Sequence, residues 1–262
     1  MDFLIGIDIG GTNARAGLIQ NNKIIYKTKI PSEINGNEKA LFERIFTLID
    51  NVLENNKLKI EQIAGIGIGV AGMVLAEKGI LLAASNLKLE KIDVVRIVQK
   101  RYNVPVKIKN DLSMFALAEA YLGDVKNLVF IAIGTGLNIG VINNGKLFEG
   151  ACGASLEYGQ TALWDGIVET YISGPGYKKF GKEKMLEALD VMILNLANTY
   201  RPEKIVLGGG VSEAITPEDL ERLKKHLKEN NYGYKNAPEI TLEISSRAYD
   251  GAILGTASLY RE

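Results

Sequence analysis

The sequence predicts an α/β protein made of two similar halves, each carrying a mixed sheet with helical crossovers. Three observations lead there. Short apolar, β-prone runs alternate with longer stretches of helical periodicity along all 262 residues. Each half opens on the same succession of strand, Gly/Thr turn, strand, Asn-rich turn and strand. Five glycine-rich patches punctuate the chain at residues 8–12, 65–72, 134–136, 150–159 and 208–210, several of them directly after an apolar run. Glycine at such places opens tight turns or lets a phosphate reach backbone N–H groups.

In order, residues 3–9 read as a buried strand closed by Gly10-Gly11. Residues 14–19 and 23–30 follow as strands, with Asn21-Asn22 as their hairpin turn. Leu41, Ile45, Leu48, Ile49 and Val52 share one face of a helix over 38–55. A strand over 63–70, a helix over 93–101 and a strand over 104–108 bring the chain to Asn110-Asp111, ahead of a helix beginning near Ser113. The second half starts with strands at 128–133, 137–142 and 146–148, the last two joined by Asn143-Asn144-Gly145. A helix over 182–200, a strand over 204–207, a helix over 217–229 and a strand over 240–244 follow. A small-residue helix over 250–260 closes the chain, with Gly251 and Gly255 permitting close approach to another element. Two such halves facing each other create a ligand cleft.

Composition narrows the function. A hydrophobic share of 47% and a charged share of 24% are those of a globular protein. Basic and acidic residues balance at 31 each, so no global charge points to nucleic acid. No apolar stretch is long enough to span a bilayer, and residues 3–9 are too short for a signal peptide; a cytoplasmic protein is expected. The single cysteine, Cys152, excludes an internal disulfide, and with the single histidine, His226, it cannot build a Cys/His zinc site. Cys152 reads as a small buried residue and His226 as part of a solvated helix.

Several residues can carry chemistry. Asp8 ends an apolar strand, where a carboxylate is costly unless it meets a cation or donors. A magnesium-bound phosphate would satisfy it through water, with Gly10, Gly11 and Thr12 as donors to phosphate oxygens; a strand-end turn cap is the alternative. Gly134, Thr135 and Gly136 repeat the arrangement and fit either terminal phosphates or a plain hairpin. Neither patch is a P-loop or a dinucleotide fingerprint. Asp111 is the candidate base: from a sheet edge, a carboxylate can take a hydroxyl proton and align the oxygen with a γ-phosphate. Helix N-capping is its other reading, and Asn110 or Ser113 could also cap. Glu157 and Glu169 could accept hydrogen bonds from adjacent polyol hydroxyls, with Asn86 and Gln160 adding amide contacts; equally, they suit a solvated loop. Gly208, Gly209 and Gly210 leave room for a base or ribose, or make a flexible turn. Trp164 reads as a core or interface anchor.

Taken in order, Asp8-Ile-Gly-Gly-Thr-Asn-Ala-Arg-Ala-Gly-Leu18, Ser85-Asn86-Leu87, Asn110-Asp111, Gly134-Thr-Gly-Leu-Asn-Ile-Gly140, Gly153-Ala-Ser-Leu-Glu157, Glu169-Thr-Tyr-Ile-Ser-Gly174 and Leu207-Gly-Gly-Gly-Val211 resemble the ROK family of sugar kinases over nearly the whole chain. That resemblance implies an actin/hexokinase-like (ribonuclease H-like) ATPase fold whose two α/β domains close on MgATP and a hexose. It implies a smaller domain of residues 1–115 plus 248–262 and a larger one of 116–247. It casts Asp111 as the base acting on the sugar 6-hydroxyl, Asp8 as the magnesium contact through water, and Gly11-Thr12 with Gly134–Gly136 as phosphate contacts. Asn86, Asn110, Glu157 and Glu169 become sugar contacts, and residues 208–210 approach the adenosine. A homodimer fits the family, although no residue here specifies one.

Two departures stand out. The family's Gly-Glu-x-Gly-His is Leu156-Glu157-Tyr158-Gly159-Gln160 here, and the three cysteines that precede Glu169 in the family are missing. The resemblance without those ligands predicts no zinc site, a sugar-side loop held by local packing, and Gln160 as a sugar contact. The Pro-Gly usual after the strand over 63–70 is Ala71-Gly72. The expected function is ATP-dependent phosphorylation of a hexose, glucose first. The rivals are an N-acetylglucosamine or N-acetylmannosamine kinase and a non-catalytic sugar-binding regulator. Repressors of this family add an N-terminal DNA-binding segment, and no helix-turn-helix is read in this chain.

Overall fold

The computed structural model describes residues 3–151, 156–231, 239–247 and 250–260. Cys152 and residues 153–155 of the family motif lie outside them, as do 248 and 249 at the expected return crossing. The chain divides into two compact units: Met1–Leu122 with Glu149–Ser155 and Asp250–Glu262, and Gly123–Phe148 with Leu156–Tyr249.

In the first unit β1 (Phe3–Ile9) pairs antiparallel with β2 (Asn13–Gln20), which pairs antiparallel with β3 (Lys23–Pro31). Asn21 and Asn22 both adopt positive φ, 50° and 62°, the conformation that a two-residue hairpin turn demands and that asparagine tolerates. The helix α1 (Glu38–Asn55) is capped by the Asn37 side chain, which accepts from the Ala40 amide at 3.2 Å. It buries Leu41, Ile45, Leu48, Ile49 and Val52, the stripe its periodicity predicts, and Phe42 beside them. The strand β4 (Ile63–Val70) lies parallel to β1. A separate antiparallel sheet of β5 (Met73–Leu75), β6 (Ile80–Ala84) and β7 (Leu89–Asp93) then intervenes, where the sequence predicts no strand. Asp93 ends β7 and caps α2 (Val94–Tyr102) from outside, so that helix starts one residue later than expected. The strand β8 (Val106–Asn110) runs parallel to β4 and passes directly into α3 (Asp111–Leu122). The main sheet order is β3-β2-β1-β4-β8.

The second unit repeats that plan. Antiparallel β9 (Leu128–Ile133), β10 (Leu137–Asn143) and β11 (Lys146–Phe148) open it, the latter two joined by Asn144 and Gly145 at positive φ. A small hairpin of β12 (Ala162–Leu163) and β13 (Gly166–Ile167) leads into the single turn α4 (Val168–Tyr171). The long helix α5 spans Gly174–Tyr200, but Gly181 at φ 81° breaks it, so the segment expected from Lys182 onward is its second part. Gly174, Pro175 and Gly176 argue against a helix in its first part, but proline in the first turn loses no bond. Then come β14 (Lys204–Gly208), α6 (Pro217–Asn230) and β15 (Thr241–Ile244). The sheet order β11-β10-β9-β14-β15 has the same strand senses as the first unit's.

Last is α7 (Gly251–Leu259), which belongs to the first unit. A side chain at Gly255 or Gly251 would strike the Met114 carbonyl or the Phe115 ring of α3, so the close approach expected of these glycines is made against that helix. Among the described residues no helix is long and apolar enough to cross a membrane.

Candidate functional site

Parallel strands in an open α/β sheet deliver their functional groups at their carboxyl ends. In the first unit β1, β4 and β8 end together, with Asp8 beside Gly69 and Gly69 beside Lys109. Asp8 is 6% exposed. Its carboxylate receives the Arg15 guanidinium at 3.1 Å from the facing position on β2. Burial, and next the nearby Asp111 charge, push its pKa up to about 6, while Arg15 works the other way. The following turn is tied by the Gly10 amide donating to the Asn13 carbonyl at 3.0 Å, and the buried Ser32 hydroxyl donates to the Gly10 carbonyl at 2.6 Å. Gly11 and Thr12 stand exposed at its tip. Asn86, in a short 3-10 turn after β6, lies beside Gly11: a Cβ there would sit 3.6 Å from that of Asn86.

Asp111 occupies the first turn of α3, two residues earlier than the expected helix start. The capping work falls to Asn110, whose side-chain oxygen accepts from the Leu112 and Ser113 amides at 3.0 and 3.3 Å while its amide donates to the Gly72 carbonyl. Asp111 accepts from the Leu112 amide at 2.9 Å. Its pKa is raised, chiefly by burial and against the pull of backbone donors. Asn110 thus takes two first-turn amides and Asp111 shares one of them.

In the second unit the turn after β9 is closed by the Gly134 amide donating to the Gly136 carbonyl at 2.9 Å, and Thr135 is exposed. The Gly134 carbonyl accepts from the Gly174 amide at the start of α5, at 2.7 Å, and the space a Gly134 side chain would enter is open. Gly209 has φ 84°, and its missing Cβ faces the Ile133 carbonyl, which places residues 208–210 against the end of β9. Gly208 meets the Phe130 ring in the same way, 2.5 Å from a would-be Cβ. Internal packing therefore requires glycine at both positions, and Gly210 opens a 3-10 helix.

Glu157 and Glu169 converge on the start of β10. Asn138 donates to Glu157 at 3.2 Å and accepts from the Tyr158 amide at 3.1 Å. Glu169, on α4, accepts from the Leu137 amide at 2.9 Å, and its carboxylate lies against Gly136. Burial first and the Glu169 charge second raise the pKa of Glu157. Gln160 ends the 3-10 turn that Glu157 precedes and is exposed. Trp164 is exposed at the β12–β13 tip rather than in the core. His226 lies on α6 beside Asp190 of α5, at 2.8 Å.

Two participants escaped the sequence reading. Arg15 was legible in principle, because a hairpin turning at residues 10–13 sets Asp8 opposite it. Asn138 gives no comparable signal, since its partners arrive from a loop twenty residues away.

The family model described as the ROK family matches residues 4–180 and 182–262. The chain is 25% identical to a glucokinase of Halalkalibacterium halodurans, over 99% of this chain and 95% of that protein. It is 24% identical to a xylose repressor of Caldicellulosiruptor bescii, over 98% and 77%. The fold matches a ROK hexokinase from Thermus thermophilus with a TM-score of 0.82 at 20% identity, covering 98% of this chain and 97% of that one. With an actin/hexokinase-like architecture, a match along nearly its whole length and the glycine turns at both strand ends, the chain belongs to the ROK family.

Proposed function

We propose that the protein is an ATP-dependent sugar kinase that phosphorylates a hexose, with glucose at its 6-hydroxyl as the first candidate. Asp111 carries this reading. It sits at the carboxyl end of a parallel strand, where Asn110 takes two of the first-turn amides and burial raises the Asp111 pKa. As base it would accept the hydroxyl proton and hold the oxygen for in-line transfer.

Asp8 fits magnesium, because a buried carboxylate next to a second acid and only partly offset by Arg15 is relieved by a divalent cation. It would hold the ion through water, and Mg²⁺ supplies charge neutralisation to the phosphoryl oxygens. Gly10, Gly11 and Thr12 would bind phosphate from the first unit, and Gly134, Thr135 and Gly136 from the second. Residues 208–210 would back the nucleoside. Asn86, Asn110, Glu157, Gln160 and Glu169 would bind the hexose. Glutamine at position 160 and the supply of one cysteine and one histidine separate this chain from the zinc-dependent pattern of the family.

Glucokinases and N-acetyl-D-glucosamine kinases both occur among the relatives, so an N-acetylhexosamine is the competing substrate. A non-catalytic regulator is the competing class, with a repressor among the relatives; an acid held at position 111, at the end of a parallel strand, favours the enzyme. A coupled assay with MgATP across glucose, mannose, N-acetylglucosamine, N-acetylmannosamine and fructose tests all three. Turnover with none of them, at high enzyme concentration, rejects the kinase reading.

A further inference from the structure

The segment that carries Glu169 cannot hold itself. The helix α4 is one turn long, far below the length at which a helix is stable alone. The hairpin before it pairs only Ala162 with Ile167 and Leu163 with Gly166, and an isolated two-stranded hairpin is marginal at best. Its two-residue turn places Trp164 at φ 52°, a conformation unusual for a bulky residue and one that persists only where the surroundings insist on it.

Those surroundings are aromatic. The Trp164 ring stands edge-on to Tyr171, with centroids 4.8 Å apart at 75°, and the Lys184 ammonium sits 4.0 Å from the centre of the same ring. Tyr171 donates its hydroxyl to Asp165, the other residue of the turn. It also packs against Phe180, centroids 5.2 Å apart, and is itself buried. One side chain of α4 thus receives both tip residues of the hairpin. Two residues back on the same turn, Glu169 takes the Leu137 amide. Lys184 covers one face of the indole, which argues against that face serving as a sugar platform.

We propose that Trp164 and Tyr171 form a clasp that fixes α4, holds the Glu169 carboxylate on the Leu137 amide, and thereby sets the affinity for hexose. These are positioning residues; neither is assigned a contact with substrate. The proposal rests on the kinase reading for its ligand but not for its geometry.

Two substitutions separate the clasp from the turn. Trp164→Gly suits the positive φ and deletes the ring, whereas Trp164→Phe keeps an aromatic edge. Hydrogen exchange on the ligand-free protein reads the Leu137 and Val168 amides, and calorimetry reads hexose and ATP binding. The expected result for Trp164→Gly is exchange at both amides faster by tenfold or more, hexose affinity weaker by about tenfold, and ATP affinity within twofold. Trp164→Phe should recover most of both losses. Unchanged exchange at Leu137 in Trp164→Gly overturns the clasp, as does faster exchange with unchanged hexose affinity. Should the parent protein bind no hexose, the kinase reading falls, and the clasp stands or falls on the exchange alone.

Discussion

The two five-stranded sheets share one strand order and one pattern of strand senses, yet they differ at the residue just inside the first turn. In the first unit Asp8 faces Arg15 across the hairpin and lies beside Gly69. At the matching place in the second, Ala132 faces Asn138 and lies beside Gly208. One site has an ion pair whose acid is buried; the other has a methyl group and an amide that holds Glu157. The second unit's acids reach its turn from outside the shared plan, on the segment between β11 and α5. A backbone arrangement repeated twice therefore supports two chemistries: fixed acids in one unit, neutral donors with borrowed carboxylates in the other.

The strongest way to break this contrast is Asp111→Asn. Hexose phosphorylation should fall by about a thousandfold or more, within the range for loss of a general base, while ATP affinity and melting temperature hold. Near-normal turnover would remove the first unit's claim to the acid chemistry.

Glycines give the next largest effect, on stability. Gly209→Ala combines a positive φ with a collision against the Ile133 carbonyl, and urea denaturation should show a loss of about 2–3 kcal/mol. Gly134→Ala enters open space and should stay within about 0.5 kcal/mol of the parent, yet lower nucleotide affinity if phosphate approaches that backbone. Equal stability losses at the two positions would mean that both glycines serve the fold alone.

The buried carboxylate makes a prediction about pH. Asp8 keeps its proton to about pH 6 in the native protein, against an ordinary carboxylate value of 3.8. The native state binds more protons between those values, so stability falls as pH rises through this window and levels off above it. Asp8→Asn should flatten that slope, worth about 3 kcal/mol by the shift, in denaturation midpoints measured from pH 4 to pH 7. Parallel curves would deny the burial cost. At pH 7 the same variant should weaken magnesium-dependent ATP binding.

Smallest is Glu157→Gln. The exposed glutamate has one amide partner in Asn138, and a rise of a few-fold in the hexose KM with kcat nearly unchanged is expected. A fall in kcat alone would move Glu157 from sugar binding to chemistry.

The sheets were legible because their signals are local: apolar runs, asparagine turns, glycine after a strand. Residues 73–93 were not, because their strands are three to five residues long and broken by left-handed turns at Gly79 and Lys88. Of the site, Asp8 and Asp111 announced themselves as acids at strand ends. That Asn110 would cap depended on where the helix began, a matter of one or two residues. Glu169 read as a loop acid, and only the placement of α4 reveals its hold on the Leu137 amide.

The seating of α7 bears on how the chain is made. Gly6 and Gly67 of β1 and β4 receive Thr256 of this helix at closer range than any side chain would permit, and the Tyr260 hydroxyl donates to the Ile66 carbonyl at 2.8 Å. A ribosome delivers β1 early and α7 only after the whole of the second unit has emerged. The earlier-encoded unit therefore cannot gain this part of its sheet cover until the later-encoded one has been synthesised in full.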